Sequence, residues 1–174
     1  MSDQGPELIE QRGLYLDELN VDAIYVHKPG RTLTEADNVQ FTTMTMNNQG
    51  LHLDAAWTAT QPFGKPLVNS LLTLSTMIGQ SVPQLTEGTI IGQLGLNDVN
   101  FPHPMFHGDT LYTQTEITQL RESKSRPGQG IVSMKHTGRN QNGVVVATAT
   151  RTCLMWSKAA HLASLEPTEG ETRG

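Results

Sequence analysis

The chain has 174 residues, a formal net charge of −5 at pH 7 and a pI near 5.6. This length fits one domain with a substantial core, and the acidic balance disfavours nucleic acid as a partner, since phosphate contacts need a basic face. Apolar runs are too short to span a membrane, and the first ten residues lack the basic charge of a signal peptide. Its single cysteine, Cys153, fits a reducing compartment. We therefore expect a cytoplasmic protein without membrane contact.

The first part of the chain predicts a short arm followed by two helices. Residues 1–20 are polar and form the arm of a single domain that we assign to residues 1–157. Thr34 and Asp37 have the spacing of a capping box, which starts a helix running towards Met46. After a Pro- and Gly-rich loop, leucines from Leu67 onward recur at helical spacing, so we expect a buried helix that stops at Gly79.

The second part of the chain predicts strands. Four segments have β-type composition: Thr89–Phe101, Thr110–Leu120, Ile131–Thr137 and Val144–Trp156. Glycines in the first segment indicate a bend or bulge. Gln141-Asn142-Gly143 predicts a type I′ hairpin turn before the last strand. Residues 158–174 are rich in small and polar side chains and are expected to form a flexible polar tail.

This order of elements favours an α+β protein in which an antiparallel sheet wraps around one apolar helix, the hotdog architecture. The edges of such a sheet are commonly covered by pairing across a dimer. We therefore expect a homodimer or a dimer of dimers.

Five segments, in this order, make the chain resemble the MaoC-like family of hotdog hydratases. They are Thr34-Glu35-Ala36-Asp37, His52-Leu53-Asp54, residues 63–68, residues 106–111 and residues 121–126. The resemblance covers residues 28–156. It implies an enoyl thioester of coenzyme A as substrate, water addition to its double bond, and no further cofactor.

Two positions depart from the pattern of that family. The family run Asp-x-Asn-Pro-x-His corresponds here to residues 47–52, so His52 is kept but Asn47 replaces the carboxylate. An amide cannot act as a base at neutral pH, although it can orient a water molecule. The family's His-Gly-Met corresponds to Asn69-Ser70-Leu71. Because a backbone N–H does not depend on the side chain, Ser70 can still donate to the thioester carbonyl.

These departures together resemble the subgroup that hydrates short branched dicarboxylic enoyl-CoAs of the mesaconyl-CoA, β-methylmalyl-CoA and itaconyl-CoA type. The resemblance implies His52 as the acid and base, because histidine titrates near neutrality, with Asn47 orienting the water. Residues expected to bind substrate around the carbonyl are Ser70, Asn69, Gln49, Phe63 and Gly64. The basic run Arg121, Lys124 and Arg126 is either a solvated turn or a site for the phosphates of coenzyme A.

Other polar residues have simpler interpretations. Asp54 is expected to cap a short helix, although it could instead orient His52. His103 and His107 have a spacing found in metal sites, but prolines break their segment and no third ligand follows, so we expect no metal. Two alternatives to a hydratase stay open: an acyl-CoA-binding protein or partner subunit without catalysis, and, with less support, a thioesterase.

Overall fold

The computed structural model describes residue 6 and residues 8–166, which form an antiparallel sheet with a long helix packed against it. The strands are β1 (Ile24–Val26), β2 (Arg31–Thr32), β3 (Ile90–Asn100), β4 (Thr110–Glu122), β5 (Gln129–Arg139) and β6 (Val145–Trp156). The helices are α1 (Glu35–Met44), α2 (Gly50–Leu53), α3 (Ala55–Thr58), α4 (Ser70–Leu85) and α5 (Lys158–Leu165), with a 3₁₀ turn at Leu16–Glu18. Within the described part of the chain, every helix is too short or too polar to cross a membrane.

The strands follow the order β1-β4-β5-β6-β3, with the short β2 paired to β4. Strands β4, β5 and β6 are joined in sequence by hairpins, whereas β3 lies at the far edge and pairs with β6. The register of β3 shifts at three places along β6, and Asp98 has a φ of +50°. The bulged strand that the glycines predict is therefore confirmed.

The hairpin between β5 and β6 forms at the predicted place but with a different turn. Gly143 has a φ of +78°, whereas Asn142 keeps a negative φ, so the predicted type I′ turn is wrong. The amide of Asn140 donates to the carbonyl of Val144, which leaves a three-residue loop. The side-chain oxygen of Asn140 accepts from the amides of Asn142 and Val144 and closes that loop.

Helix α4 packs across β4, β5 and β6 and is longer than the sequence predicts. It continues through Gly79 and Pro83 to Leu85, so the predicted stop at Gly79 is wrong. The buried side chains of α4 start with the adjacent Thr73 and Leu74 and continue at intervals of three or four residues with Met77, Ser81 and Leu85. Burial of this face against the sheet outweighs the cost of about 1 kcal/mol for an interior glycine.

Capping at the helix starts follows the sequence. Thr34 accepts from the amide of Asp37 at 3.2 Å, and Asp37 accepts from the amide of Thr34 at 2.9 Å, so the capping box of α1 is confirmed. Asp54 accepts from the amide of Trp57 at 2.9 Å and caps α3. Helix α1 ends at Met44, close to the predicted end.

Both ends of the described chain pack on the same side of the domain. The amide of Gly13 donates to the carbonyl of Glu87, and Leu16 is buried. Residues 158–165 form helix α5, with His161 stacked on Trp156, instead of the expected flexible tail. The stacking of His161 on Trp156 holds α5 against the end of β6, a contact that the small and polar side chains of residues 158–174 do not indicate. The rest of the predicted tail, residues 167–174, lies outside the described residues.

The core between α4 and the sheet has two apolar clusters. The first contains Leu33, Val68, Leu74, Met77, Met105, Leu111, Val146, Ala147 and Ala149. The second contains Leu16, Leu85, Ile117, Val132, Met134, Cys153 and Met155. Along β4 and β6, the buried polar residues Thr115 and Arg151 fall between the members of the two clusters. His136 of β5 is paired with Thr115 in the sheet and completes this polar layer.

Candidate active site

A cleft of about 390 Å³ opens beside the first turn of α4. It lies between the α2 segment, the start of α4, the chain that precedes β4 and the start of β6. Its walls are formed by Leu51, His52, Phe63, Leu67, Val68, Ser70, Thr73, Phe101, Pro102, His103, Pro104, Met105 and Val146. His52 lies on α2 and Ser70 begins α4, and both residues therefore line the same cleft.

His52 is held in one orientation by the segment that leads into α4. Its Nδ1 lies 2.9 Å from the carbonyl oxygen of Leu67, so Nδ1–H donates to that oxygen. The amide of Leu67 in turn donates to the carbonyl of Leu51. This pairing leaves Nε2 of His52 without a partner among residues 6 and 8–166, and a neutral imidazole in this tautomer can accept a proton there.

Ser70 is the first residue of α4, and its amide faces no acceptor in the described structure. The preceding residue, Asn69, caps the helix by accepting from the amide of Leu71 at 2.9 Å. The first amides of a helix lack intrahelical acceptors and carry the positive end of the helix dipole. The Ser70 amide can therefore donate to an oxygen that develops negative charge in the cleft.

The other residues predicted near the carbonyl are distributed differently. Phe63 lines the cleft, whereas Gly64 forms a turn with a φ of +69° outside the cleft wall. Asn69 is buried, and its side chain also contacts Thr42, so it caps the helix and does not line the cleft. Gln49 is exposed and precedes α2 without a side-chain capping bond.

Asn47 does not line the cleft. It is exposed just after α1, and its amide donates to the carbonyl of Thr42 at 3.0 Å. Met46, with a φ of +59°, turns the chain at this point. The expectation that Asn47 and His52 act on the same water therefore gains no support from the geometry of one protomer.

Two residues of this region were not identified as functional from the sequence. His103 lies in the cleft wall, and its Nδ1 is 3.0 Å from the carbonyl oxygen of Val145. Asn38 is completely buried on α1, with polar contacts to His52, Leu67 and Asn69. The Pro-flanked position of His103 was visible in the sequence, but its approach to His52 depends on the fold.

His103 and His107 have different partners, in spite of their spacing. Nε2 of His107 lies 3.1 Å from Nδ2 of Asn38, whereas His103 contacts β6. In the described ranges, groups of three or more His, Cys, Asp or Glu side chains with the geometry of a metal site are absent.

The basic run Arg121, Lys124 and Arg126 lies at the opposite end of β4 from the cleft. Strand β4 has 13 residues, and the cleft adjoins the end at Thr110. At about 3.3 Å a residue, the basic run is roughly 40 Å away along the strand. Within one protomer the structure does not bring these cations to the cleft.

Comparison with known proteins identifies the family. Residues 19–140 match the MaoC-like domain. Over 77% of its length the chain is 28% identical to the β-methylmalyl-CoA dehydratase of Chloroflexus aurantiacus, of which it covers 38%. It is 34% identical to the (R)-specific enoyl-CoA hydratase of Aeromonas caviae, over 51% of this chain and 65% of that protein.

The fold has close counterparts among solved structures. A conserved hypothetical protein of Mycobacterium tuberculosis with a double hotdog fold superposes with a TM-score of 0.76 and 25% identity. The superposition covers 92% of this chain and 48% of that one. The chain thus spans less than two thirds of the length of both curated relatives and about half of the double hotdog. With the matched domain covering most of the chain and the sheet wrapped on α4, the predicted family and fold are confirmed: this chain belongs to the MaoC-like domain family and has a hotdog fold.

Proposed function

We propose that the chain is a hydratase or dehydratase that adds water to the double bond of an enoyl-CoA thioester, or removes it. The observation that carries this proposal is the shared cleft, which is lined by both His52 and Ser70. Within the described residues, Nε2 of His52 and the amide of Ser70 have no hydrogen-bond partner and are available to a ligand. The names of the two curated relatives, a dehydratase and a hydratase of CoA thioesters, support the same reaction.

The position of these two groups supports the following reaction. The thioester oxygen accepts from the Ser70 amide, and the dipole of α4 further polarises the carbonyl, so the Cβ atom becomes electrophilic. Nε2 of His52 takes a proton from water while the water oxygen bonds to Cβ. The π electrons move through Cα to the carbonyl oxygen and form an enolate. Protonated His52 then returns its proton to Cα as the carbonyl reforms.

This scheme uses one histidine in both proton transfers and requires no contribution from Asn47. Because both transfers take place on the His52 side of the substrate, the addition is syn. The dehydration of a 3-hydroxyacyl thioester runs through the same steps in reverse.

For the acyl group, we propose a short branched chain with a second carboxylate. The relative from Chloroflexus is named for such a substrate, β-methylmalyl-CoA. Leu51, Val68 and Met105 supply apolar walls suited to a methyl branch. Arginine and lysine are absent from the described wall. Nδ1–H of His103 donates to the carbonyl of Val145, so His103 would pair with the distal carboxylate as the imidazolium, which donates from Nε2.

We also propose that the protein works as a homodimer paired through β3. This strand is an edge of the sheet, and Ile91, Leu94 and Val99 are exposed on it. A long exposed edge is a template for pairing with another chain. Two-fold pairing reverses the direction of the partner's strands, so the partner subunit's Arg121 would lie at the end of the sheet that holds this chain's cleft. The phosphates of coenzyme A could then meet the basic run of the other subunit.

A screen of unsaturated CoA esters tests the activity. We expect the conjugated enoyl absorbance to fall when the purified chain is added to a branched dicarboxylic enoyl-CoA. His52→Gln should lower the rate by about 10²-fold or more, because a general base is lost. Circular dichroism of the variant should match the parent, and light scattering should give the mass of a dimer.

The alternatives give different results in the same assay. Release of free thiol without loss of the enoyl group would identify a thioesterase. Binding of the esters with no change in absorbance, across the whole screen, would show a non-catalytic acyl-CoA protein. A His52→Gln variant with the parent rate would remove this histidine from the mechanism.

A further inference from the structure

We propose that Asn38 is a positioning residue that holds His52 and the first turn of α4 in register with each other. This inference rests on the proposed function. Asn38 lies on α1, where its side chain is completely buried, 0% exposed. A buried primary amide needs hydrogen-bond partners for its two N–H groups and for its oxygen, so these partners fix the position and orientation of the side chain.

The donor end of Asn38 fixes the oxygen that anchors the imidazole. Its Nδ2 lies 3.3 Å from the carbonyl oxygen of Leu67 and 3.2 Å from that of His52. The oxygen of Leu67 also accepts from Nδ1–H of His52, at 2.9 Å. Asn38 and the imidazole therefore donate to the same oxygen, and the side chain of Asn38 also holds the backbone of His52 itself.

The acceptor end of Asn38 fixes the start of α4. Its Oδ1 accepts from the amide of Asn69 at 2.7 Å. Asn69 is the capping residue, and the next amide along the chain is that of Ser70. One side chain thus contacts the anchor of the proposed base and the residue beside the proposed oxyanion donor.

Only a side chain with a donor and an acceptor at this spacing can make both sets of contacts. An aspartate would place an oxygen against two carbonyl oxygens, and a leucine would remove one donor from each of them and leave the Asn69 amide without its acceptor. Nδ2 also lies 3.1 Å from Nε2 of His107, so the two N–H groups of the amide are shared among three neighbours. Because a displacement of about 1 Å can cost about 10²-fold in rate, loss of this link should be visible in turnover.

The test compares Asn38→Asp and Asn38→Leu with the matched control Thr58→Val. Thr58 is also completely buried in the same region, but its hydroxyl donates to the carbonyl of Asp54 within its own helix. We expect both Asn38 variants to lose about 10²-fold in kcat with less than about a threefold change in KM, since the cleft walls remain. The control should keep the parent kcat.

A second readout separates positioning from a general loss of structure. Long-range ¹H–¹⁵N NMR spectra of the His52 ring report which nitrogen carries the proton. The parent and Thr58→Val should show the Nδ1–H form, and the Asn38 variants a mixture of tautomers. Asn38→Ser, which is small and keeps a hydroxyl donor, provides a folded variant if the other two do not fold, and it too should show the mixture.

Each result supports or overturns the proposal. Folded Asn38 variants with the parent tautomer and parent kcat would overturn it. A parent that hydrates none of the enoyl esters would refute the proposed function, while the NMR comparison would still decide whether Asn38 orients the ring.

Discussion

At the scale of single residues, the cleft depends on backbone carbonyls that orient imidazole rings. His52 donates to the carbonyl of Leu67, and His103 lies within hydrogen-bond distance of the carbonyl of Val145. In each ring the contact is made through Nδ1, and Nε2 has no hydrogen-bond partner among the described residues. A carbonyl acceptor fixes the tautomer without adding a charge, so the ring can gain and lose a proton at the other nitrogen.

His103 provides a test of the substrate class at this scale. We expect His103→Asn to raise the KM for a dicarboxylic enoyl-CoA about tenfold, because a hydrogen bond to a charged group is worth about 1.5–3 kcal/mol. The KM for a monocarboxylic enoyl-CoA of the same length should change less than about twofold. Steady-state kinetics with the two esters measures this difference. Equal changes for both esters would contradict a role in binding the distal carboxylate.

Part of the candidate site could be predicted from the sequence alone. His52 and Ser70 could be predicted because their segments resemble a family pattern, and both line the cleft. Asn38 could not, since a single polar residue inside a helix gives no signal until its partners Leu67 and Asn69 are known. Asn47 was predicted from its position in the same family pattern. Such a pattern shows where a residue lies along the chain, but it does not show where its side chain points.

At the scale of elements, α4 shows how tertiary burial determines a helix end. Gly79 and Pro83 both favour an earlier stop, yet the helix runs to Leu85, which is completely buried. Local propensity costs about 1 kcal/mol at the glycine and about 3 kcal/mol at the proline, so a buried leucine, which contributes about 2–3 kcal/mol, offsets them only together with the rest of the buried face. The residues that override the stop are on strands later in the chain, so the local sequence of the helix could not reveal its end.

Gly79 therefore offers a stabilising substitution. A Cβ added there meets no heavy atom within 4 Å in the described structure, and the residue is exposed. We expect Gly79→Ala to raise the free energy of unfolding by about 0.4–1 kcal/mol, because alanine restricts the unfolded chain. Gly138→Ala is the control: its Cβ would lie 3.0 Å from Leu111 and from Met77, and overpacking should cost about 1 kcal/mol or more. Urea unfolding compares the two, and a loss of stability in Gly79→Ala would contradict its place inside the helix.

At the scale of the whole molecule, the buried polar layer that separates the two apolar clusters is its main electrostatic feature. His27 lies 2.7 Å from the hydroxyl of Thr115, which lies 2.8 Å from Nδ1 of His136. Nε2 of His136 and Nη1 of Arg151 are buried and lack hydrogen-bond partners among the described residues. Burial, with Arg151 and His27 as further causes, lowers the pKa of His136 to about 3, and burial also lowers the pKa of His27.

These shifts predict that the protein loses stability in mild acid. Between the ordinary histidine pKa of 6.5 and about 3, the unfolded chain binds a proton at His136 that the folded chain excludes. The free energy of unfolding should therefore fall by about 1.4 kcal/mol for each pH unit below 6.5, with His27 adding in the same direction. Glu18, whose pKa is lowered to about 2 chiefly by its hydrogen bond from Arg12, contributes only below its ordinary 4.5.

Urea unfolding between pH 7 and pH 5 isolates the histidines. His136→Phe should reduce the slope of stability against pH by about 1.4 kcal/mol per unit below 6.5. Lys135→Gln, at the neighbouring exposed position of β5, should retain the parent slope. If His136→Phe kept the full slope, the acid sensitivity would have another source.

The divided core also has a consequence for the motions of the cleft. The cluster with Leu74, Met77 and Val146 adjoins the cleft, whereas the N-terminal arm packs on the other cluster through Leu16. The free energy of local opening depends on how much buried surface the opening exposes. The two ends of this domain bury separate sets of side chains. Opening at the mouth of the cleft would therefore disrupt the first cluster and leave the second buried, so we expect local opening at the cleft to cost less free energy than global unfolding.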